Sequence, residues 1–202
     1  GTYQIGQSNI SCAEIEEIVV ASNSLSFDDW LDCRVMNLLI KIYIDRDYFV
    51  EIFGLVRRMG LSPLDLLEVL RTQVFNNYPE LRELVQSFRA KTLEPLSEDF
   101  ASLMEISSDQ SFVDAHRTGE LGGNELLMHR AMAYLECNEG LHDALYEAAS
   151  IYLREMGRLS SLTSKYLNEA ISFSKLRKFN PENYQRDLTG KFSFDFFKLS
   201  KP

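Results

Sequence analysis

The 202-residue sequence is poor in several features that mark catalytic, secreted or membrane proteins. It has three cysteines, Cys12, Cys33 and Cys137, and no CxxC among them. An odd, scattered set of this kind argues against a disulfide framework and for reduced thiols, buried or half-buried, in a cytoplasmic protein. No apolar run approaches the roughly 20 residues that a membrane-spanning helix needs, and no signal-peptide pattern is visible. Basic residues are scarce, with 21 Lys and Arg against 30 Asp and Glu, for a net charge of −9. Without a broad basic footprint the chain has little to offer nucleic acid or an anionic membrane, and neither is expected as a partner.

The remaining composition is that of a globular domain. Apolar residues make up 45% and charged residues 25%, ordinary values for such a chain. A chain of this length buries roughly 70% of the surface its unfolded form exposes. Thirteen Phe and nine Tyr predict a core rich in rings. The first residue is Gly rather than Met, which fits a cleaved tag and a segment excised from a longer protein.

Helical periodicity dominates, so a mostly α bundle of about seven helices is expected. Ser26 reads as an N-cap, with Asp28 and Asp29 at the positive end of the helix dipole. Leu31, Val35, Leu38, Leu39 and Ile42 follow at helical spacing. Asp45-Arg46-Asp47 interrupts that pattern, Tyr48 to Met59 restarts it, and Gly60 is a natural C′ residue. Ser62-Pro63-Leu64-Asp65 combines a cap, a proline at N1 and an acid at N3. Pro79 opens a further helix, and Phe100, Leu103 and Met104 form a short helical face. Ser107 to Ser111 reads as a loop. Helices are then expected over Leu126 to Leu135, over Leu141 to Tyr152 with an end at Gly157, and from about Ser161 to Lys178. Asn180-Pro181 stops the last of them.

Two segments have a different period. Ile15 to Ala21 is rich in β-branched residues and reads as a strand buried on both faces. Lys191 to Lys198 places Phe192, Phe194 and Phe196 on one face at strand spacing. A lone strand has unpaired backbone groups, so residues 15–21 and 191–198 are expected to pair as a small antiparallel sheet. The resulting division is an arm over 1–25, a helical body over 26–178 and an aromatic tail over 179–202, all in one compact domain.

No catalytic, cofactor-binding or metal-binding residue stands out. Asp114-Ala115-His116-Arg117-Thr118-Gly119 spells D-x-H-x-x-G, the string that offers a cobalt-ligating histidine in cobalamin-binding Rossmann domains. Ser160-Ser161-Leu162 stands at about the distance of that family's S-x-L. The motif belongs on a loop after a buried parallel strand, whereas this pattern is helical and has only Gly190 where a paired glycine is needed. Gly119 to Leu127 lacks the strand and lysine of a phosphate loop and reads as a helix-entry turn capped by Asn124. His116, His129 and His142 are spaced by thirteen residues, so none falls at the i, i+4 spacing of helical metal ligands. Partly exposed, hydrogen-bonded histidines are expected. Lys175, Arg177 and Lys178 read as a helix C-terminus.

Three stretches together resemble the region that follows the barrel in cobalamin-type radical S-adenosylmethionine (radical SAM) proteins. They are EIVVASNSLSFDDWLDCRVMNLLI (17–40), TGELGGNELLMHRAMAYLE (118–136) and GKFSFDFFKL (190–199). In that family a final strand leads through a Ser-rich turn into a Trp-bearing helix. The family's CxxxCxxC motif, which holds the [4Fe–4S] cluster, is not in this sequence. The resemblance implies a non-catalytic accessory segment that packs on the catalytic barrel of its own polypeptide or shapes access to it. S-adenosylmethionine, the cluster and cobalamin would then belong to the parent enzyme, and this chain would hold no cofactor. The alternatives are a free-standing helical interaction domain and a cobalamin-binding module through His116.

Overall fold

The computed structural model describes residues 2–11, 13–178 and 187–199. A hairpin comes first. Strands β1 (Thr2–Ile5) and β2 (Ser8–Ser11) pair antiparallel, with Tyr3 opposite Ile10 and Ile5 opposite Ser8. Gly6, at φ +64°, takes the left-handed conformation that a two-residue hairpin loop needs.

Residues 13–20 then run without regular structure, and Ser22 and Leu25 form an isolated bridge. The expected strand over 15–21 is therefore not formed, and Ile18 and Val19 are exposed rather than buried on both faces. The tail partner is absent as well. Residues 191–195 have no strand ladder, and Phe196–Leu199 is a single helical turn. The physical reason lies in α9 (Ser161–Arg177), whose rings already absorb the tail's aromatics. Phe173 meets Phe192 edge-on at 5.4 Å, Tyr166 meets Phe194 edge-on at 5.1 Å, and buried Phe196 stacks on Phe173 at 4.9 Å. An alternating apolar pattern is thus satisfied by side-chain packing without any backbone pairing.

The other helices follow their punctuation. In α1 (Phe27–Tyr43) Ser26 and Asp29 close a reciprocal capping box. Arg46 and Asp47 adopt positive φ in the short 3-10 turn that breaks the chain before α2 (Val50–Arg58). At the end of α2 the Leu61 amide reaches Val56 O and the Gly60 amide reaches Arg57 O, a Schellman closure with Gly60 at φ +70°. Ser62 caps α3 (Pro63–Val69), which continues through a π turn at Leu70–Val74 and a 3-10 turn at Phe75–Asn77. The run continues as α4 (Pro79–Leu93), α5 (Phe100–Ser107), α6 (Gln110–Thr118), α7 (Glu125–Glu136) and α8 (Asn138–Glu155). The polar stretch at 107–111, expected to be a loop, is only a brief break, because Asp109 caps a helix that begins at Gln110.

The protein is mostly α, with α8 at its centre. Leu141, Ala144, Leu145, Ala148, Ala149, Tyr152 and Leu153 are all buried. The three alanines leave room for α3, the π turn and α9 to approach closely. Tyrosine hydroxyls connect distant helices through the core. Tyr43 donates to Leu141 O at 3.3 Å, Tyr134 to Ile42 O at 2.6 Å, and Tyr166 to Glu51 O at 2.9 Å. Each tyrosine buries an apolar ring and also satisfies a carbonyl.

Candidate functional site

Histidine is the first place to look for chemistry. All three rings are held the same way, with Nδ1 on the carbonyl four residues earlier: His116 on Phe112 at 2.9 Å, His129 on Glu125 at 2.8 Å and His142 on Asn138 at 2.8 Å. A carbonyl only accepts, so Nδ1 carries the proton in each ring and Nε2 points away from the helix. His142 Nε2 then meets Ser174 Oγ at 3.1 Å, and His129 Nε2 meets Ser87 Oγ at 3.2 Å. His129 and His142 are buried, not partly exposed as the sequence predicts.

Both couples have the outline of a Ser–His nucleophile, but neither has the means to act. Ser174 and His142 are sealed in the core, and burial pushes the His142 pKa below its ordinary range. Ser87 is exposed, and Glu125 Oε2 lies 3.6 Å from His129 Nδ1. Ser87 nevertheless sits inside α4, where the neighbouring amides are committed to helix hydrogen bonds and cannot form an oxyanion hole. The couples join helices, α8 to α9 and α7 to α4. They are separated by 32 and 42 residues along the chain, so no local motif announces them.

The D-x-H-x-x-G string falls within α6, and Gly119 is its left-handed cap at φ +79°. The His116 ring packs on Phe112, with centroids 4.5 Å apart. Gly122 covers its other edge so closely that a β-carbon there would meet Cδ2 at 2.7 Å and Nε2 at 3.3 Å. A histidine held by its own helix and edged by backbone does not fit as an axial ligand presented to a corrin. Ser160 is the N-cap of α9. Gly119 to Asn124 is a helix-to-helix turn, with Asn124 Oδ1 accepting from Leu127 N at 3.1 Å.

A buried charge cluster joins α2 to the end of α9. Arg177 donates to Glu51 Oε1 through Nε at 2.9 Å and Nη2 at 2.5 Å. Lys178 Nζ lies 3.6 Å from Glu51 Oε2 and 4.7 Å from the centre of the Tyr48 ring. Burial lowers the Lys178 pKa to about 8, against the opposing pull of Glu51. In sequence Arg177 and Lys178 read as dipole partners at a helix end. Nothing local to them points to Glu51, more than 120 residues away.

Cys33 is exposed, contrary to expectation, and Cys137 is buried with its thiol pushed up to about 11. Cys12 and the Asn180-Pro181 stop lie outside the described residues. Among the described residues no group of three or more His, Cys, Asp or Glu could hold a metal ion, and no helix is long and apolar enough to cross a membrane.

The N-terminal arm leaves several large apolar side chains in solvent. Register places Tyr3, Ile5 and Ile10 on one face of the hairpin, and they are 46%, 63% and 47% exposed. The opposite face holds Thr2, Gln4, Asn9 and Ser11. Ile18 and Val19, between the hairpin and α1 in the chain, are 53% and 79% exposed. An amphipathic hairpin with its apolar face in solvent lacks the layer that would stabilise it.

Comparison with known proteins gives no match: no family model, no curated protein and no solved structure resembles this chain closely enough to identify it.

Proposed function

We propose that the chain is a non-catalytic helical accessory domain that docks, through its N-terminal arm, on the catalytic barrel of a radical SAM enzyme. The observation that carries docking is the arm itself. Its hairpin is patterned for a buried face, and Ile18 and Val19 have the composition of a buried strand, yet all of them lie exposed. Covering such side chains is worth about 1.5–3 kcal/mol each. A neighbouring layer of sheet is a suitable cover, because the hairpin edge and the irregular backbone of 13–20 can also be paired there.

The identity of the neighbour rests on the resemblance in residues 17–40, 118–136 and 190–199. In that reading the arm marks the passage from barrel to helical domain. The cluster, S-adenosylmethionine and cobalamin are held upstream, and this chain packs on the barrel or shapes its opening.

Reading the gene upstream tests the family. A CxxxCxxC motif within the preceding few hundred residues is expected, and its absence overturns the radical SAM assignment. Hydrogen exchange tests docking separately. In the full-length product the amides of residues 13–20 should exchange far more slowly than in the isolated chain. Equal exchange in both would overturn docking through the arm.

A further inference from the structure

The pair of helices α5 and α6 is built differently from the rest of the bundle. The two helices pack chiefly on each other. Among the described residues from 100 to 118, Val113 is the one apolar side chain that is fully buried, and it lies outside the main core cluster. Phe100, Met104 and Ile106 remain about half exposed on α5, as does Leu121 beyond α6. Between the helices a groove of about 500 Å³ is floored by Ile106, Phe112, Ala115 and Leu121, with Glu105 and Asp109 among its lining.

Charge separates this groove from an ordinary exposed patch. From residue 97 to 121 the chain has six carboxylates, Glu98, Asp99, Glu105, Asp109, Asp114 and Glu120, against the single cation Arg117. Six acids against one cation give the segment a net charge of −5, more than half of the molecule's −9, and two of those acids, Glu105 and Asp109, line the groove itself. Asp99 and Asp109 also serve as helix caps, and their hydrogen bonds hold their pKa values below the ordinary carboxylate range, so both stay ionised.

We propose that the α5–α6 groove binds a basic amphipathic helix from a separate polypeptide, with aliphatic anchors seated on Ile106 and Leu121 and Lys or Arg side chains meeting the surrounding acids. Two helices in contact leave a groove between their ridges that a third helix fills. Opposite charge then steers the encounter and fixes orientation. The same charge argues against the other occupants. A second copy would bring the same carboxylates face to face, and anionic lipid or nucleic acid would be repelled. The inference is independent of the barrel-docking reading, because it uses none of the arm's residues.

The test titrates the full chain with a labelled helical peptide of about five turns, made of Leu at i, i+3, i+4 and i+7 and Lys elsewhere. A matched Leu/Glu peptide serves as the control, and fluorescence anisotropy is read at about 0.1 M salt. The Leu/Lys peptide should bind and the Leu/Glu peptide should not. Ile106→Ser should weaken binding roughly tenfold or more. Its half-exposed position keeps the fold intact, which circular dichroism checks. Glu105→Gln combined with Glu120→Gln should weaken binding and flatten its salt dependence. Glu83→Gln combined with Glu155→Gln, on α4 and α8, should leave it unchanged. Absence of binding, or equal loss from both carboxamide pairs, would overturn the proposal. So would an Ile106-dependent dimer in sedimentation, which would assign the groove to a second copy.

Discussion

Lys178 Nζ and Glu51 Oε2 stand 3.6 Å apart in the seam between α2 and the end of α9, too far for a hydrogen bond. Arg177 takes the other oxygen of the same carboxylate. Lys178 is thus buried against the Tyr48 and Phe49 rings, with a partner that another cation already holds.

That geometry sets a pH dependence. Burial lowers the Lys178 pKa from an ordinary 10.5 to about 8. Between these values the unfolded lysine holds a proton that the native one has lost, so the Lys178 contribution to stability rises with pH across the window. The full effect is about 3 kcal/mol at most. Above pH 10 the sign reverses, because burial raises Tyr166 to about 12 and the unfolded state then loses protons first. Urea midpoints should therefore climb from pH 8 toward 9, level off as the buried Cys137 thiol, raised from 9 to about 11, begins to offset the lysine, and fall beyond 10. Lys178→Met should flatten the climb while leaving the fall. The slope is the readout, since the methionine also deprives Glu51 Oε2 of its nearest cation. An unchanged slope would refute the assignment.

A second dependence lies on the acid side. His142 is fully buried, and its lowered pKa comes first from that burial, with Lys175 and Lys178 adding to it. The unfolded ring takes a proton near pH 6.5 and the folded ring takes it only below that. Stability should accordingly fall as pH drops through 6.5. His142→Gln, which keeps a polar group near Ser174 without a titrating ring, should lose less between pH 7 and 5. Parallel losses in the two proteins would place the acid sensitivity elsewhere.

Local signals were the legible part of the fold. Ser26, Ser62, Pro79, Asn124, Gly60 and Gly157 each mark a helix boundary through chemistry contained within a few residues, and the structure places caps or breaks at all of them. Pairing was less legible, because it is decided at long range. The tail's Phe192, Phe194 and Phe196 carry a strand period, but Tyr166 and Phe173 supply a different way to bury them. The true hairpin had a signal in Ile5-Gly6-Gln7-Ser8, a glycine-led two-residue turn between Tyr3/Ile5 and Ile10. The Ser–His couples and the Glu51 cluster had none, since each joins helices that only the tertiary fold brings together.

The α1 cap offers a quantitative check on the local reading. Ser26 Oγ accepts from Asp29 N at 3.1 Å, and Asp29 Oδ2 accepts from the Ser26 hydroxyl at 2.7 Å. Ser26→Ala should cost about 1 kcal/mol in urea unfolding. Ser26→Thr, which keeps a hydroxyl that can accept from Asp29 N and donate to Asp29 Oδ2, should retain most of it. If both variants lost the same amount, the cap would not be the source of the stability.

Val19 distinguishes a buried strand from an exposed arm. A strand buried on both faces would lose about 1.5–3 kcal/mol of burial on Val19→Ser. At 79% exposure the same change should stay within about 0.5 kcal/mol in this chain. Ile18→Ser, at 53% exposure, should cost little more. In the longer protein that the proposed function requires, both substitutions should become costly, because the side chains are then covered by the neighbouring domain. The comparison is made by measuring thermal midpoints for each variant in both contexts. A large loss in this chain alone would return Ile18 and Val19 to its own core. A loss confined to the longer protein is the expected signature of docking.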